Sequence, residues 1–344
     1  MHNIYESGGT GREITTAAVV QETLAAEMRR DPTVTIFGED VGKEWTPFKA
    51  FQGLLGEFGS NRVINTPISE PGFAGIAVGA AMTGLRPVVD IMVGDFVTLI
   101  MDQIVNQAAK IHYMSGGKWK VPLVIHTAMG ATRRSAAQHS QSLHALLCHV
   151  PGLKVVLPST PRDTKGLLLS AIRDDNPVIF FENRTLAYVS GQVEEAEFTI
   201  PLGVADIKRP GEDVTIVATS GVVSKALQAA ELLEKDGISA EVVDPRTLVP
   251  LDRKTLIDSA LKTRRAIVVD EGYEQYGITA ELASVISEGA FDRLVTPVRR
   301  IGARNVPVPF SPVLEDLTVP TPKKIADVAR AVCTRRKTEQ GTER

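Results

Sequence analysis

LRPVVDIMVGDFVTLIMDQIVNQAAKIHYMSGGKWKVPLVIHTA, residues 85–128, decides the fold class. It opens on a β-branched apolar run, Val88–Met92. A helical pattern, Phe96–Lys110, follows, and a second apolar run, Leu123–Thr127, closes the unit. Near-continuous apolar strands are buried on both faces, and a helix between two of them is the crossover of a parallel pair.

The unit recurs in both directions. Upstream lie an amphipathic helix over Thr15–Arg30, a strand at Val34–Phe37 and a helix over Phe73–Thr83. Thr15 or Thr16 caps the first helix and Asp31-Pro32 stops it. Downstream lie strands at Val155–Leu157 and Val178–Glu182, with helices over Ser140–Leu147 and Arg162–Arg173. Ser190 to Pro210 is polar and turn-rich, and reads as a connection. A second set then begins, with strands at Val214–Ala218, Ala240–Val243, Ala266–Val269 and Val298–Ile301. Its helices cover Val222–Lys235, Arg253–Leu261, Thr279–Glu288 and Lys323–Cys333. The pattern predicts an α/β chain of two parallel-sheet sandwich domains. The expected division is a flexible arm over 1–14, a first domain over 15–190, a linker over 191–205, a second domain over 206–334 and a disordered tail over 335–344.

Composition narrows the function classes. Across 344 residues, 43% are hydrophobic and 23% charged, as in ordinary globular proteins. A net charge of -3 gives no footprint for nucleic acid or an anionic membrane. No apolar run reaches bilayer length. The two cysteines, Cys148 and Cys333, lack metal or redox spacing and read as buried free thiols of a reducing compartment. The N-terminal MHNIYESGGTGRE has no apolar core flanked by basic residues. A cytoplasmic protein is therefore expected, or one of a matrix-like compartment if a targeting segment has been lost.

General motifs exclude more than they assign. The dinucleotide-binding G-x-G-x-x-G, the phosphate loop G-x-x-x-x-G-K-[ST], H-E-x-x-H and G-x-S-x-G do not occur. Ser7–Gly11, SGGTG, has neither the lysine nor the preceding strand of a phosphate loop.

Four longer strings point further: NTPISEPGFAGIAVGAAMTGLRPVVDIM (65–92), DFVTLIMDQIVNQAAKIHYMSGG (95–117), AAQHSQSLHALLCHVPGLKVV (136–156) and KGLLLSAIRDDNPVIFFEN (165–183). With GED at 38–40, VVDPRTLVPLD at 242–252, VVDEG at 268–272 and VPVPFSPVLED at 306–316, they run nearly the length of the chain. The chain thereby resembles the beta subunits of the thiamine-diphosphate-dependent decarboxylase components of pyruvate, branched-chain 2-oxo acid and acetoin dehydrogenases. That resemblance implies a transketolase-like pyrimidine-binding domain followed by a transketolase C-terminal-like domain that helps dimerise. It implies oxidative decarboxylation of a 2-oxo acid, or cleavage of acetoin, with acyl transfer to lipoamide. The strings KIHYMSGGKWKVPLVIHTAMGA and RSAAQH are more similar to acetoin-type and bacterial pyruvate-type subunits.

The resemblance also implies roles. Glu70 matches the glutamate that hydrogen-bonds the cofactor's pyrimidine ring, with Ile68 beside it; by spacing alone Glu70 would read as a carboxylate at a helix start. Phe96 matches the aromatic that packs on the pyrimidine, although Val97-Thr98-Leu99 departs from the proline or glutamine common just after it. His139 matches the histidine that serves the intermediates and acyl transfer, work suited to a group titrating near neutrality. His112, His126, His144 and His149 lack motif support and read as core or surface histidines. Glu39 fits either a contact near the cofactor or a turn carboxylate. Arg133 and Arg134 fit a substrate or partner contact, or a solvated loop pair. Ala171, Ile172, Asp174 and Asn176 resemble a stretch that holds potassium in some relatives; a helix end and turn is the other reading.

No Gly-Asp-Gly, the start of the magnesium-diphosphate motif, occurs. The resemblance therefore implies an alpha subunit carrying most of the Mg2+ site, an alpha-two beta-two heterotetramer, a lipoyl-bearing acyltransferase core and a flavin enzyme that reoxidises the lipoyl group. A stand-alone transketolase-like enzyme and a non-catalytic scaffold of the same fold are the competing readings.

Overall fold

The computed structural model describes residues 11–43 and 50–334. The first half runs β1 Arg12–Thr15, α1 Thr16–Arg30, β2 Val34–Gly38, α2 Leu54–Phe58, β3 Val63–Asn65, α3 Glu70–Met82, β4 Arg86–Val93, α4 Ala109–Met114, β5 Val124–Met129, α5 His144–Cys148, β6 Lys154–Val156, α6 Pro161–Arg173 and β7 Val178–Asn183. The second half runs β8 Ser190–Val193, β9 Asp206–Arg209, β10 Val214–Ala218, α7 Val222–Glu234, β11 Ala240–Asp244, β12 Thr247–Val249, α8 Arg253–Thr263, β13 Ala266–Tyr273, α9 Ile278–Ala290, β14 Arg299–Ala303, α10 Pro312–Asp316 and α11 Pro322–Thr334. The first ten residues and the tail from 335 lie outside the described residues.

The described residues form three sheets, ordered β12-β6-β7-β5-β4-β2-β3, β14-β13-β10-β11-β9 and β1-β8. The large sheets are parallel inside, as the apolar runs predict. Their exceptions sit at edges, where β12 pairs antiparallel with β6 and β9 with β11; the separate β1-β8 pair is antiparallel too. Two of these antiparallel strands lie in the polar 190–210 stretch. β8 buries alternate residues, Gly191 and Val193, against β1, and such half-buried strands carry few apolar residues.

Local chemistry explains other departures. Thr15 accepts from the Ala18 amide and so caps α1, as its sequence position suggests. The expected helix Phe96–Lys110 instead starts as a 3-10 turn over Gly94–Ile100 and passes through a π-helical stretch, Gln103–Ala108, before α4. The Thr98 hydroxyl donates to the Asp95 carbonyl at 3.0 Å, a local bond of the kind that competes with regular helix winding. The expected helix Ser140–Leu147 shrinks to α5. Asp95 Oδ1 draws Gln141 outward, accepting from its Nε2 at 2.8 Å. Cys148 and Cys333 are free and half-buried rather than buried, and burial pushes the Cys148 thiol up to about 12.

The halves join through buried charge. Thr160 accepts from the Asp163 amide to cap α6. The Asp163 carboxylate, 1% exposed, meets Lys208 Nζ at 2.5 Å, from the end of the connection, and Arg246 Nε at 2.8 Å, from beyond it. Gly152 sits at φ +102° against α4, where an added Cβ would strike the Ala109 carbonyl oxygen. Gly152→Ala is therefore expected to lose about 2–5 kcal/mol, combining left-handed strain with overpacking. A thermal melt beside a Gly237→Ala control, left-handed in open space, checks it.

Candidate active site

From β2 the chain steps outward to β3, then returns to place β4 on the other side of β2. That reversal opens a crevice beyond the carboxyl ends of β2 and β4, the place where open α/β sheets bind ligands. Glu39 follows β2, Glu70 follows β3 as the first residue of α3, and Asp95-Phe96 follow β4. His139 lies on the loop after β5. Topology thus gathers the expected residues at one end of the sheet.

Glu70 is 8% exposed, and its side chain has no hydrogen bond among the described residues. Pro71, in the first helical turn, has no amide to offer. Glu39 carries an oxygen, Oε1, that is buried without a partner. Burial pushes the Glu39 carboxyl up first, and the charges of Glu70, Asp40 and Asp90 push it further. The two carboxyls thus lie close enough for one to feel the other's charge, and both are short of donors. Phe96 stands edge-on to the His139 ring, with centroids 5.3 Å apart. Asp95, 6% exposed, holds Gln141 with one oxygen and leaves the other without a partner. Ile68 is 84% exposed, so nothing among the described residues covers it.

Behind the crevice, three adjacent strands form a charged row. His126 of β5 lies between Asp90 of β4, Nδ1 to Oδ1 2.8 Å, and Glu182 of β7, Nε2 to Oε2 3.1 Å. Full burial would strip the imidazole of its proton, but hydrogen bonds and charge from both carboxylates outweigh it and raise His126 to about 10. His126 is thus a buried imidazolium, a role its lone histidine signal did not disclose.

The His139 loop is strained. Thr132, Arg134 and Ala136 all have positive φ, at 70°, 57° and 58°. Such residues cost about 1–3 kcal/mol each and persist only where their surroundings impose them. Arg184, at the end of β7, supplies one restraint, donating to the His139 carbonyl oxygen and to Ser135 Oγ. Others come from the second half of the chain. Glu271 accepts from the Ala131 amide at 2.9 Å, and Asp270 holds His144 Nε2 at 3.0 Å.

The family model described as "Transketolase, pyrimidine binding domain" matches residues 12–189, and "Transketolase, C-terminal domain" matches 203–325. The chain is 47% identical over 329 residues to the acetoin:2,6-dichlorophenolindophenol oxidoreductase subunit beta of Bacillus subtilis (strain 168), covering 92% of this chain and 96% of that one. It belongs to the transketolase-like family of dehydrogenase beta subunits. The pyruvate dehydrogenase E1 component subunit beta of Rickettsia felis is also 47% identical, over 321 residues, covering 93% of this chain and 98% of that one. Among solved structures, a "split gene transketolase, inactive beta4 tetramer" superposes with a TM-score of 0.74 at 23% identity over 93% of this chain and 99% of that one, a likeness of fold.

Within this beta-subunit fold, side-chain cations engage the Ile172 and Asp174 oxygens among those expected to meet potassium. Arg86 Nη1 donates to the carbonyls of Ile172 and Asp174, each at 3.0 Å. The Ala171 carbonyl accepts from the Asp174 amide. The Asp174 carboxylate binds Lys154 and accepts from Asn176, which keeps it well ionised. That arrangement lends no support to an ion there. Arg133 and Arg134 part company: Arg133 stacks on Tyr188, 5.7 Å from its ring centre, whereas Arg134 turns to the second domain and pairs with Glu315 and Asp316. Glu315, Arg184, Asp95 and His126 escaped the sequence reading. Arg184 and Asp95 share one signal, charge just beyond the end of a buried strand; His126 lies inside β5, and Glu315 lies in the short helix α10.

Proposed function

We propose that this chain is the beta subunit of a heteromeric dehydrogenase component that decarboxylates a 2-oxo acid or cleaves acetoin, using thiamine diphosphate held between it and an alpha subunit. The observation that carries the reading is the buried Glu70 at the switch point, whose side chain has no hydrogen bond among the described residues, with the half-buried Glu39 close enough to feel its charge and holding a partnerless Oε1, and with Phe96 just past the neighbouring strand β4. An aminopyrimidine ring offers the polar nitrogens and flat face that such a site lacks, so the residues fit the group. When bound, the cofactor supplies the acidic thiazolium carbon that attacks the substrate carbonyl.

In this reading Glu70 shares a proton with the pyrimidine ring nitrogen and sets its tautomer. Glu39, its carboxyl pushed up by burial and by Glu70, can hold a proton beside it. Phe96 supports the ring with its apolar surface, and Ile68 covers it from the rim. His139, exposed at the mouth, moves protons to and from the intermediates and meets the lipoyl acceptor. Residues 15–190 carry this work, and residues 206–334 brace it from behind.

The diphosphate and its Mg2+ fall to the alpha subunit, because the sequence has no Gly-Asp-Gly. The outward face of α3, where Gly72, Gly75, Ile76 and Gly79 are exposed, supports a close-packed partner. A lipoyl acyltransferase core would take the acyl group onward from the alpha-two beta-two assembly. Relatives in bacteria, matched along nearly their whole length, favour a cytoplasmic complex. Potassium is left out of this reading, since Arg86 and Lys154 already engage the Ile172 and Asp174 oxygens.

Calorimetry of thiamine diphosphate with Mg2+ tests the split site. Binding is expected to the mixture with a candidate alpha subunit, and not to this chain alone. Tight binding to the isolated chain would overturn the shared site. Turnover assays of the mixture with pyruvate, branched-chain 2-oxo acids and acetoin then separate the substrates.

A further inference from the structure

The loop that presents His139 is bound by a carboxylate from the other domain. Residues 130–136 place every second residue in the left-handed region: Gly130 at φ +107°, then Thr132, Arg134 and Ala136. Alternation of this kind turns neighbouring backbone N–H groups toward one side, forming a concave nest that suits an anion. Here the anion is the Glu315 side chain of α10. Its Oε1 accepts from the Thr132 amide at 2.7 Å and its Oε2 from the Arg134 amide at 3.2 Å. The same Oε2 accepts from Arg134 Nη1 at 2.6 Å. Glu315 is fully buried, and all three bonds reach across from residue 315 to residues 132 and 134. Arg134 also grips Asp316 and the Pro312 carbonyl, so the whole of α10 is tied to the loop.

The bonds fix orientation as well as place. A carboxylate accepts with both oxygens, and the nest offers it only donors. A carboxamide of the same size would turn its NH2 group toward one of those N–H groups, leaving two donors facing. The loop would then relax from its left-handed turns. The Glu39 and Glu70 end of the crevice hangs on β2 and β3 and shares none of these bonds.

We propose that Glu315 is a positioning residue for His139, acting through this nest so that the C-terminal domain sets the reach of the histidine in the active site. The inference rests on the proposed role of His139. Displacement of a reacting group by about an ångström can cost on the order of 100-fold in rate. In the assembled holoenzyme, Glu315→Gln is expected to lower kcat by about 10- to 100-fold, with the Kd for thiamine diphosphate and the KM for the 2-oxo acid or acetoin changed by less than about threefold.

A double-mutant cycle with His139→Ala decides the matter. If Glu315 acts through His139, adding Glu315→Gln to His139→Ala costs little more than His139→Ala alone. Additive losses would overturn the positioning role, as would unchanged kcat in Glu315→Gln when His139→Ala is impaired. Full turnover in His139→Ala would instead sink the reading of the site on which the inference stands. Should Glu315→Gln not assemble, Arg134→Met removes one of the three bonds from the half-exposed end. It is expected to lower kcat in the same direction by a smaller factor, again without further loss beside His139→Ala, and additivity there would equally overturn the proposal.

Discussion

Glu70→Gln in the assembled complex is expected to cut turnover on the order of 100- to 10,000-fold, the range for losing a proton-transferring side chain. The amide keeps the size of the carboxyl, so α3 retains its apolar seat on β4 through Phe73, Ala74, Ala77 and Ala81. The thermal midpoint and the affinity for thiamine diphosphate should change little. Loss of the charge has a second readout. Glu39 is held up partly by Glu70, so in the variant its carboxyl should fall back toward the ordinary range. A carbon-13 titration of Glu39 would register that downward movement even in an inactive protein. Turnover within about threefold of wild type would end the assignment of Glu70 as the activating carboxyl.

His126→Gln is expected to act on stability instead. Asp90 and Glu182 share one buried imidazolium, and removing it strands two carboxylates in the core. Breaking such a buried pair typically costs about 3–5 kcal/mol. The pH dependence has a defined sign. His126 rises from 6.5 to about 10 on folding, so between those values the unfolded chain has released a proton that the folded chain keeps. Its contribution is fully present below about pH 6.5, declines by about 1.4 kcal/mol per pH unit above it, and is gone once pH passes about 10. Denaturant titrations at several pH values should show the advantage of wild type over His126→Gln shrinking as pH rises. An advantage that stays level from pH 7 to pH 9 would mean that His126 is neutral in the folded protein.

Both residues show how far the sequence could be read. Glu70 stood out in the sequence because the string around it is long, and β3 delivers it to the switch point as the first residue of α3. His126 did not, because one histidine inside an apolar run looks the same whether it is neutral packing or an imidazolium. The difference lies in Asp90 and Glu182, 36 and 56 residues away in sequence, which only strand order brings alongside. The same holds for Glu315, whose partners lie 183 and 181 residues away. The parallel interiors of both sheets were legible from continuous apolar strands. Their antiparallel edges were not, since three- and four-residue strands such as Thr247–Val249 and Asp206–Arg209 bury too few side chains to leave a period.

The smallest of those strands governs how the chain can be made. β12 comes from beyond the start of the second sheet, yet it closes the rim of the first, pairing Thr247 with Val156. During synthesis at about 5–20 residues per second, the first sheet must wait several seconds after its own last strand before that rim is sealed. Until then β6 presents unpaired backbone to any neighbouring nascent chain, the situation in which sheets join edge to edge. A gene fragment ending in the 190–210 connection would leave that rim open permanently. Recombination between relatives should therefore be tolerated poorly at the connection and better after residue 249, where the sequence of the first sheet is truly finished.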